Sequence, residues 1–368
     1  MRVSSTLSRR AGYSLAVVIA FFATAEVGLR LFGRPSSGVG QSQGAALESN
    51  RTKIWTLKPG ETSRFGAVAL IGENGLRVPA TRLQLADAPR VLTLGDSSVF
   101  GHGVSDGETL HDQLQMQLGA AGITADVDCG GILGYSTEQS IQLLDEIGWA
   151  LEPEVLVIAN QFSDMNRDQF PDRVVMEKLN SPVVRIASGL SASHVFSGVR
   201  SLVASARGVP EYAAIGWPSP SSAGVPRVPP AEYVHNLVLM LDQARERSVA
   251  VVFLQLPERQ SMLNGDRPTY AVLMDYVAAA WEVPVVHGDE AYRNSGIPVS
   301  ALFQDEVHPT AKGHAVLAGA LAETMLGAGF PGELSLPLEQ PVFEVPEFHG
   351  ELPPSHLESI QEAVLNQR

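Results

Sequence analysis

Cysteine is almost missing from this sequence. Cys129 stands alone, so no internal disulfide can form and no cysteine-rich zinc site can be assembled. The fold must be held by its apolar core, which is feasible for a chain of 368 residues. Positive charge is also short: Lys and Arg number 26 against 40 Asp and Glu, for a formal charge of −14. No basic stripe lies outside the extreme N-terminus. Neutralising phosphates takes clustered Lys and Arg, so a nucleic-acid partner is excluded. The carboxylates between Asp164 and Asp172 have no histidine cluster beside them, so neither a metal nor another cofactor is expected. No internal repeat is evident. What is present is ordinary globular material, 45% hydrophobic and 18% charged. The 34 glycines and 24 prolines point to many tight loops, as when short strands alternate with helices.

The N-terminus reads as an address. Arg2, Arg9 and Arg10 precede an uncharged run from Ala11 to Ala25, and a basic flank before an apolar segment predicts export with the arginines left inside. Two versions compete. Ala23-Thr24-Ala25 suits cleavage after Ala25, which would release the protein. Alternatively the apolar stretch continues past Glu26 to Phe32, close to the ~20 residues that a bilayer needs. We favour the uncleaved anchor over residues 1–33, with the rest of the chain outside the cytoplasm. Residues 34–89 then form a linker, rich in Gly, Ser, Pro and Gln to about Asn50, and an irregular lead-in packed on the edge of the main domain.

From Arg90 a strand-then-helix pattern repeats. Val91–Leu94, Ala125–Cys129, Val155–Ile158, Val249–Leu254 and Val283–Val286 are apolar runs of strand length. Between and after them lie helical patterns from Thr109 to Leu118, from Ser136 (with Gln139 at capping-box spacing), from Pro229-Pro230 to Arg247, from Tyr270 to Trp281, and from Thr310 to Leu326. Continuous apolar strands separated by amphipathic helices predict a parallel sheet covered on both faces, with its site at the carboxyl ends of the strands. The main domain spans 90–327. Within it, 170–226 shows no strong period and reads as an insertion or lid. The Pro- and Glu-rich tail, 328–368, is expected to lie over the surface or be partly disordered.

Two short motifs carry chemistry. Gly95-Asp96-Ser97-Ser98 follows the first strand directly, where a glycine lets the chain turn sharply and a serine can serve as nucleophile if a base reaches it. Taken alone, the tetrapeptide is also ordinary turn chemistry. Asp305-Glu306-Val307-His308-Pro309 precedes the last helix, and this spacing can bring a carboxylate against an imidazole across one turn. Other histidines look bland. His102 and His111 could approach the site from the entry to the first helix, though exposed polar positions explain them well. His314 is expected to face solvent from the last helix. His287 with Asp289, after a strand, could line the cleft, though a strand-end loop needs no catalytic role.

Taken together and in this order, the motifs resemble the SGNH/GDSL hydrolase family. Ser97-Ser98-Val99-Phe100-Gly101-His102-Gly103-Val104 looks like its first block and Gly131-Ile132-Leu133-Gly134-Tyr135-Ser136-Thr137 like its second. Glu26–Gly33 is similar to anchored bacterial members, which implies a protein of the bacterial inner membrane facing the periplasm. The resemblance implies a three-layer α/β/α fold with a parallel, flavodoxin-like sheet. It also implies a serine esterase or deacetylase in which Ser97 attacks an ester carbonyl, His308 moves the proton and Asp305 orients the ring. The backbone N–H groups of Ser97 and Gly134 would face the oxyanion. Asp96 would be a structural hydrogen-bonder. The third block normally places an asparagine before an aspartate, where this chain has Ser163 before Asp164, so Ser163 becomes the candidate third donor, with Asn160 or Asn166 as substitutes. The expected substrate is an acylated carbohydrate of the envelope or an exported polysaccharide, or another small ester. An O-acyltransferase on the same residues and a catalytically weak carbohydrate-binding relic remain the alternatives.

Overall fold

A computed structural model of the chain describes residues 46–63, 65–82, 88–182, 224–337 and 341. Two units separate, Met1–Gly44 with Glu177–Pro218 and Ala45–Met176 with Ser219–Arg368. Of the first, only residues 177–182 are described, and they continue the helix Asp172–Asn180. The expected anchor, most of the linker, the middle of the 170–226 insertion and nearly all of the tail beyond residue 337 lie outside the described residues. Among the described residues no helix is long and apolar enough to cross a membrane.

The second unit is built on five parallel strands: β1 Arg90–Gly95, β2 Asp126–Gly131, β3 Val155–Ile158, β4 Ala250–Gln255 and β5 Val285–His287. Their order across the sheet is β2-β1-β3-β4-β5, the flavodoxin-like winding. Pairing is in register from Val91 opposite Val155 to Leu94 opposite Ile158, and β2 runs beside β1 on its other edge. Both faces are covered, so the strands are apolar along their whole length. Alternate residues Val91, Val155, Val157, Val252 and Leu254 join one core cluster with Leu114, Leu118, Leu317 and Leu321. Those leucines come from α2 (Leu110–Ala120) and α7 (Ala311–Gly327), which pack on each other, with α6 (Gly288–Asn294) beside α7. Opposite lie α3 (Thr137–Leu143), α4 (Pro230–Glu246) and α5 (Thr269–Trp281), packed side by side. Burying each such Leu or Val side chain stabilises the fold by about 1.5–3 kcal/mol.

Local signals set the helix starts. The Thr109 hydroxyl accepts from Asp112 N–H at 3.3 Å and that of Thr310 from Gly313 N–H at 3.2 Å, each satisfying a donor that the first turn leaves open. The Ser136 N–H donates to Gln139 Oε1 at 3.1 Å, half of the predicted capping box.

Two expectations need correction. The linker does not run to Asn50, since Leu47–Asn50 pairs antiparallel with Ile54–Leu57. The lead-in does pack on the edge of the main domain, where Arg77 bridges Cys129 of the edge strand β2, and it forms a buried layer there. Ile54, Trp55, Leu57 and Arg77 are buried, and the Arg77 guanidinium donates to the carbonyls of Phe100, Gly101 and Val104 at 3.0 Å each. Strands of four residues are too short to display a period, which hid this layer. Lastly, Asp172–Asn180 is helical within the supposedly irregular insertion. At the tail's start Phe330 is buried against the core.

Candidate active site

In a parallel sheet of this order, the chain leaves β1 for one neighbour and later returns to its other side, which opens a crevice at the carboxyl ends of β1 and β3. The residues after β1, β2 and β3 therefore meet at one rim. Ser97 follows β1 and opens a single helical turn, α1 (Ser97–Phe100), capped by Asp96. Gly95 allows this fold-back, because a Cβ there would lie 2.4 Å from a Val99 methyl. Ile132 N–H donates to Gly95 O at 3.1 Å, and this ties the segment after β2 to the same turn.

His308 arrives from the other end of the chain. Gln304 N–H donates to His308 O at 2.8 Å and Thr310 N–H to Leu302 O at 2.9 Å, so the Asp305–His308 turn is clamped just before α7. Asp305 Oδ1 accepts from the N–H groups of Val307 (3.0 Å) and His308 (2.9 Å), and Oδ2 lies 2.7 Å from His308 Nδ1. His308 Nε2 is 2.7 Å from Ser97 Oγ, across 211 positions of sequence. Ser98 Oγ donates to Val307 O at 3.2 Å and braces the two turns against each other.

Electrostatics follow from this wiring. Partial burial would raise the Asp305 carboxyl, but the hydrogen bonds from the His308 ring and the two backbone N–H groups outweigh it and pull the pKa down to about 2. Asp305 thus stays ionised and holds the proton on Nδ1, leaving the Nε2 lone pair for the serine hydroxyl. Asp96, fully buried, is raised by desolvation even though it accepts from Ser98 N–H (2.9 Å) and from the Ser163 N–H and hydroxyl. Its role at the turn is a structural one.

Among the described residues no protein acceptor takes the N–H of Ser97 or of Gly134. Gly134 has φ +71, left-handed backbone that suits glycine. Ser163 differs from its expected place as third oxyanion donor: its hydroxyl proton is committed to Asp96 Oδ2 at 3.1 Å, and its N–H reaches the same oxygen at 3.3 Å. Asn160 is buried and its amide donates to Tyr135 O at 3.4 Å, one residue beyond Gly134. Asn166 is exposed.

A GDSL-like lipase/acylhydrolase family model matches residues 93–316, more than half of the chain, from within β1 to the first turns of α7. This chain belongs to the GDSL-like lipase/acylhydrolase family. As a GDSL-like enzyme it is an ester hydrolase. Solved structures similar to it include a lipase/acylhydrolase from Enterococcus faecalis, 17% identical over 68% of this chain and 99% of that one, with a TM-score of 0.42. An acetylxylan esterase from Geobacillus stearothermophilus is 15% identical over 66% and 94%, with a TM-score of 0.41. No curated protein matches it.

Several residues of this GDSL-like enzyme escaped the sequence patterns. His102, for which the sequence left open an approach to the site beside an exposed position, is half-buried and lies against His308, with ring centroids 4.5 Å apart and planes tilted by 37°. His287 pairs with Asp275 at 3.0 Å, while Asp289 bonds Arg293. Arg227 is buried and binds both oxygens of Asp172, Gln139 Oε1 and, at 2.7 Å, Gly134 O. The one available signal was a lone charge between Pro226 and Val228 in an uncharged segment.

His111 and His314 correct the expectation most. Both are fully buried where α2 packs on α7, because His111 shares a helix face with Leu114 and Leu118, and His314 shares one with Leu317 and Leu321. Burial lowers His111 to about 4, against the pull of Asp112, and His314 to about 3, with the positive charges nearby acting in the same direction. Both rings are neutral in the fold, while the unfolded chain takes up their protons near pH 6.5. Their contribution to stability is therefore complete above pH 6.5 and is lost as pH falls towards 4 and 3. Asp164, raised by burial to about 7, works in the opposite sense. In urea titrations from pH 7 to pH 5, His314→Leu is expected to lower the slope of stability against pH relative to wild type, by up to one proton or ~1.4 kcal/mol per pH unit. Equal slopes would mean that the imidazole binds protons equally in the folded and unfolded chain.

Proposed function

We propose that this enzyme is an extracytoplasmic serine esterase that removes O-acyl groups, acetyl above all, from an envelope or exported polysaccharide. Ser97 is the nucleophile, His308 the base and then the acid, and Asp305 the residue that orients the ring. The observation that carries this reading is the unbroken chain Ser97 Oγ–His308 Nε2 and His308 Nδ1–Asp305 Oδ2, each link 2.7 Å. Ser97 Oγ adds to the ester carbonyl as Nε2 takes its proton, and the new oxyanion is met by the N–H groups of Ser97 and Gly134. The imidazolium then returns the proton to the leaving sugar oxygen, and water repeats the sequence on the acyl-serine. Asp305, 52% exposed, and half-buried Ser97 lie at the surface among His102, Gln304 and Glu306, a setting that suits a bulky, hydrophilic acyl carrier. The basic N-terminal flank and the apolar run after it support export.

The full-length protein is expected to hydrolyse p-nitrophenyl acetate, to release acetate from an O-acetylated polysaccharide, and to be labelled by a fluorophosphonate. Ser97→Ala should lose all three. Hydrolysis that survives in Ser97→Ala, or a wild type that neither turns over esters nor takes the label, removes the proposed chemistry.

A further inference from the structure

The peptide that carries the Gly134 N–H is held from outside the matched family region. Its carbonyl is that of Leu133, and Leu133 O accepts a hydrogen bond from the indole Nε1–H of Trp55 at 3.0 Å. In a planar trans peptide the C=O and the N–H point in opposite directions. A donor fixed on Leu133 O therefore fixes the direction of the Gly134 N–H, away from Trp55. It also polarises the unit, since drawing electron density to the oxygen makes the amide proton a better donor.

Trp55 is well anchored for this task. It is 3% exposed, its carbonyl accepts from the Tyr135 hydroxyl at 2.7 Å, and its ring meets the Tyr135 ring edge-on at 6.0 Å. The Arg227 guanidinium lies over the same ring at 5.3 Å while its Nη1 donates to Gly134 O at 2.7 Å. The peptides on both sides of Gly134 are thus gripped, one by an indole and one by a guanidinium. Contact is close enough that a Cβ on Gly134 would lie 3.2 Å from Trp55 Cζ2.

We propose that Trp55, in a strand ahead of the family region, is a positioning residue that aims and polarises the Gly134 N–H at the oxyanion through Leu133 O. This rests on the reading of Gly134 as an oxyanion donor. Polarisation by one hydrogen bond changes a partner by only ~10–30%, whereas loss of a whole oxyanion donor costs ~10²–10³ in rate. A looser and weaker donor falls between the two, at about a tenfold loss.

The test replaces Trp55 in the full-length protein by benzothienylalanine, which keeps the bicyclic shape and exchanges the N–H for sulfur, with Trp55→Phe as a second variant. Thermal melting confirms that each is folded, and kcat and KM are measured on p-nitrophenyl acetate. The expected result is kcat lower by about tenfold with KM within about twofold, because the interaction matters only once the oxyanion forms. If Trp55→Phe does not fold, the isosteric variant decides. Unchanged kcat, or a raised KM with unchanged kcat, overturns the role of Trp55 while loss of activity in Ser97→Ala leaves the esterase reading standing. Activity retained in Ser97→Ala would remove both.

Discussion

Replacing His308 by alanine is expected to lower kcat for ester hydrolysis by ~10⁵–10⁶ with little change in KM, because the serine then has no base and the leaving group no acid. Among the described residues Ser97 Oγ has one basic neighbour at hydrogen-bond distance, the His308 ring nitrogen at 2.7 Å. His102 lies tilted against that ring and is lowered by burial and by the His308 charge, against the opposing pull of Asp305, so it is a poor substitute base. Asp305→Asn should cost less, ~10⁴, by permitting the wrong tautomer. The double variant Ser97→Ala/His308→Ala should be no slower than either single one, because residues that act as a unit are not additive. Steady-state kinetics on p-nitrophenyl acetate would settle the matter, and additive losses would contradict a shared proton path.

The second large effect is on stability. Arg227→Met is expected to destabilise the fold by about 3–5 kcal/mol, the usual result of breaking a buried ion pair from one side. Arg227 and Asp172 are 2% and 4% exposed and meet at 2.7 Å. With the guanidinium gone, Asp172 keeps a hydrogen bond from Ser136 Oγ at 2.6 Å but no buried counter-charge, and Gln139 and the Gly134 carbonyl lose a donor. Removing both charges in Arg227→Met/Asp172→Leu should recover most of the loss, since the cost lies in the stranded carboxylate rather than in the missing pair. Urea unfolding of the two variants and wild type measures this. A single variant as stable as wild type would mean that water reaches the site and screens the charge.

Much of the architecture was legible because it is local. Val91–Leu94 and Val155–Ile158 are apolar without alternation, the mark of strands covered on both faces, and Thr310 before Ala311 carries its own helix start. The chemistry was legible for a related reason. A glycine–serine turn after a strand and an aspartate three residues before a histidine each need only a few neighbouring positions. Harder to see was anything whose meaning depends on a distant partner. Ser163 keeps the type of a donor, but Asp96, from another loop, takes its proton. His314 looked like a surface residue although it shares a helical spacing with Leu317 and Leu321, because α7 is apolar on several sides and its own sequence does not single out the face that α2 covers.

The sequence by itself determined a parallel α/β domain, the turn that exposes Ser97 and the turn that joins Asp305 to His308, because hydrophobic period and short-range spacing act over one or two turns of chain. Only the tertiary structure decided that these turns meet, that Trp55 and Arg227 hold the peptides around Gly134, and that His111 and His314 are sealed between helices. Strand order sets which loops share a rim, and packing sets where each side chain points. Both are sums over contacts between residues far apart in sequence, which no local pattern records.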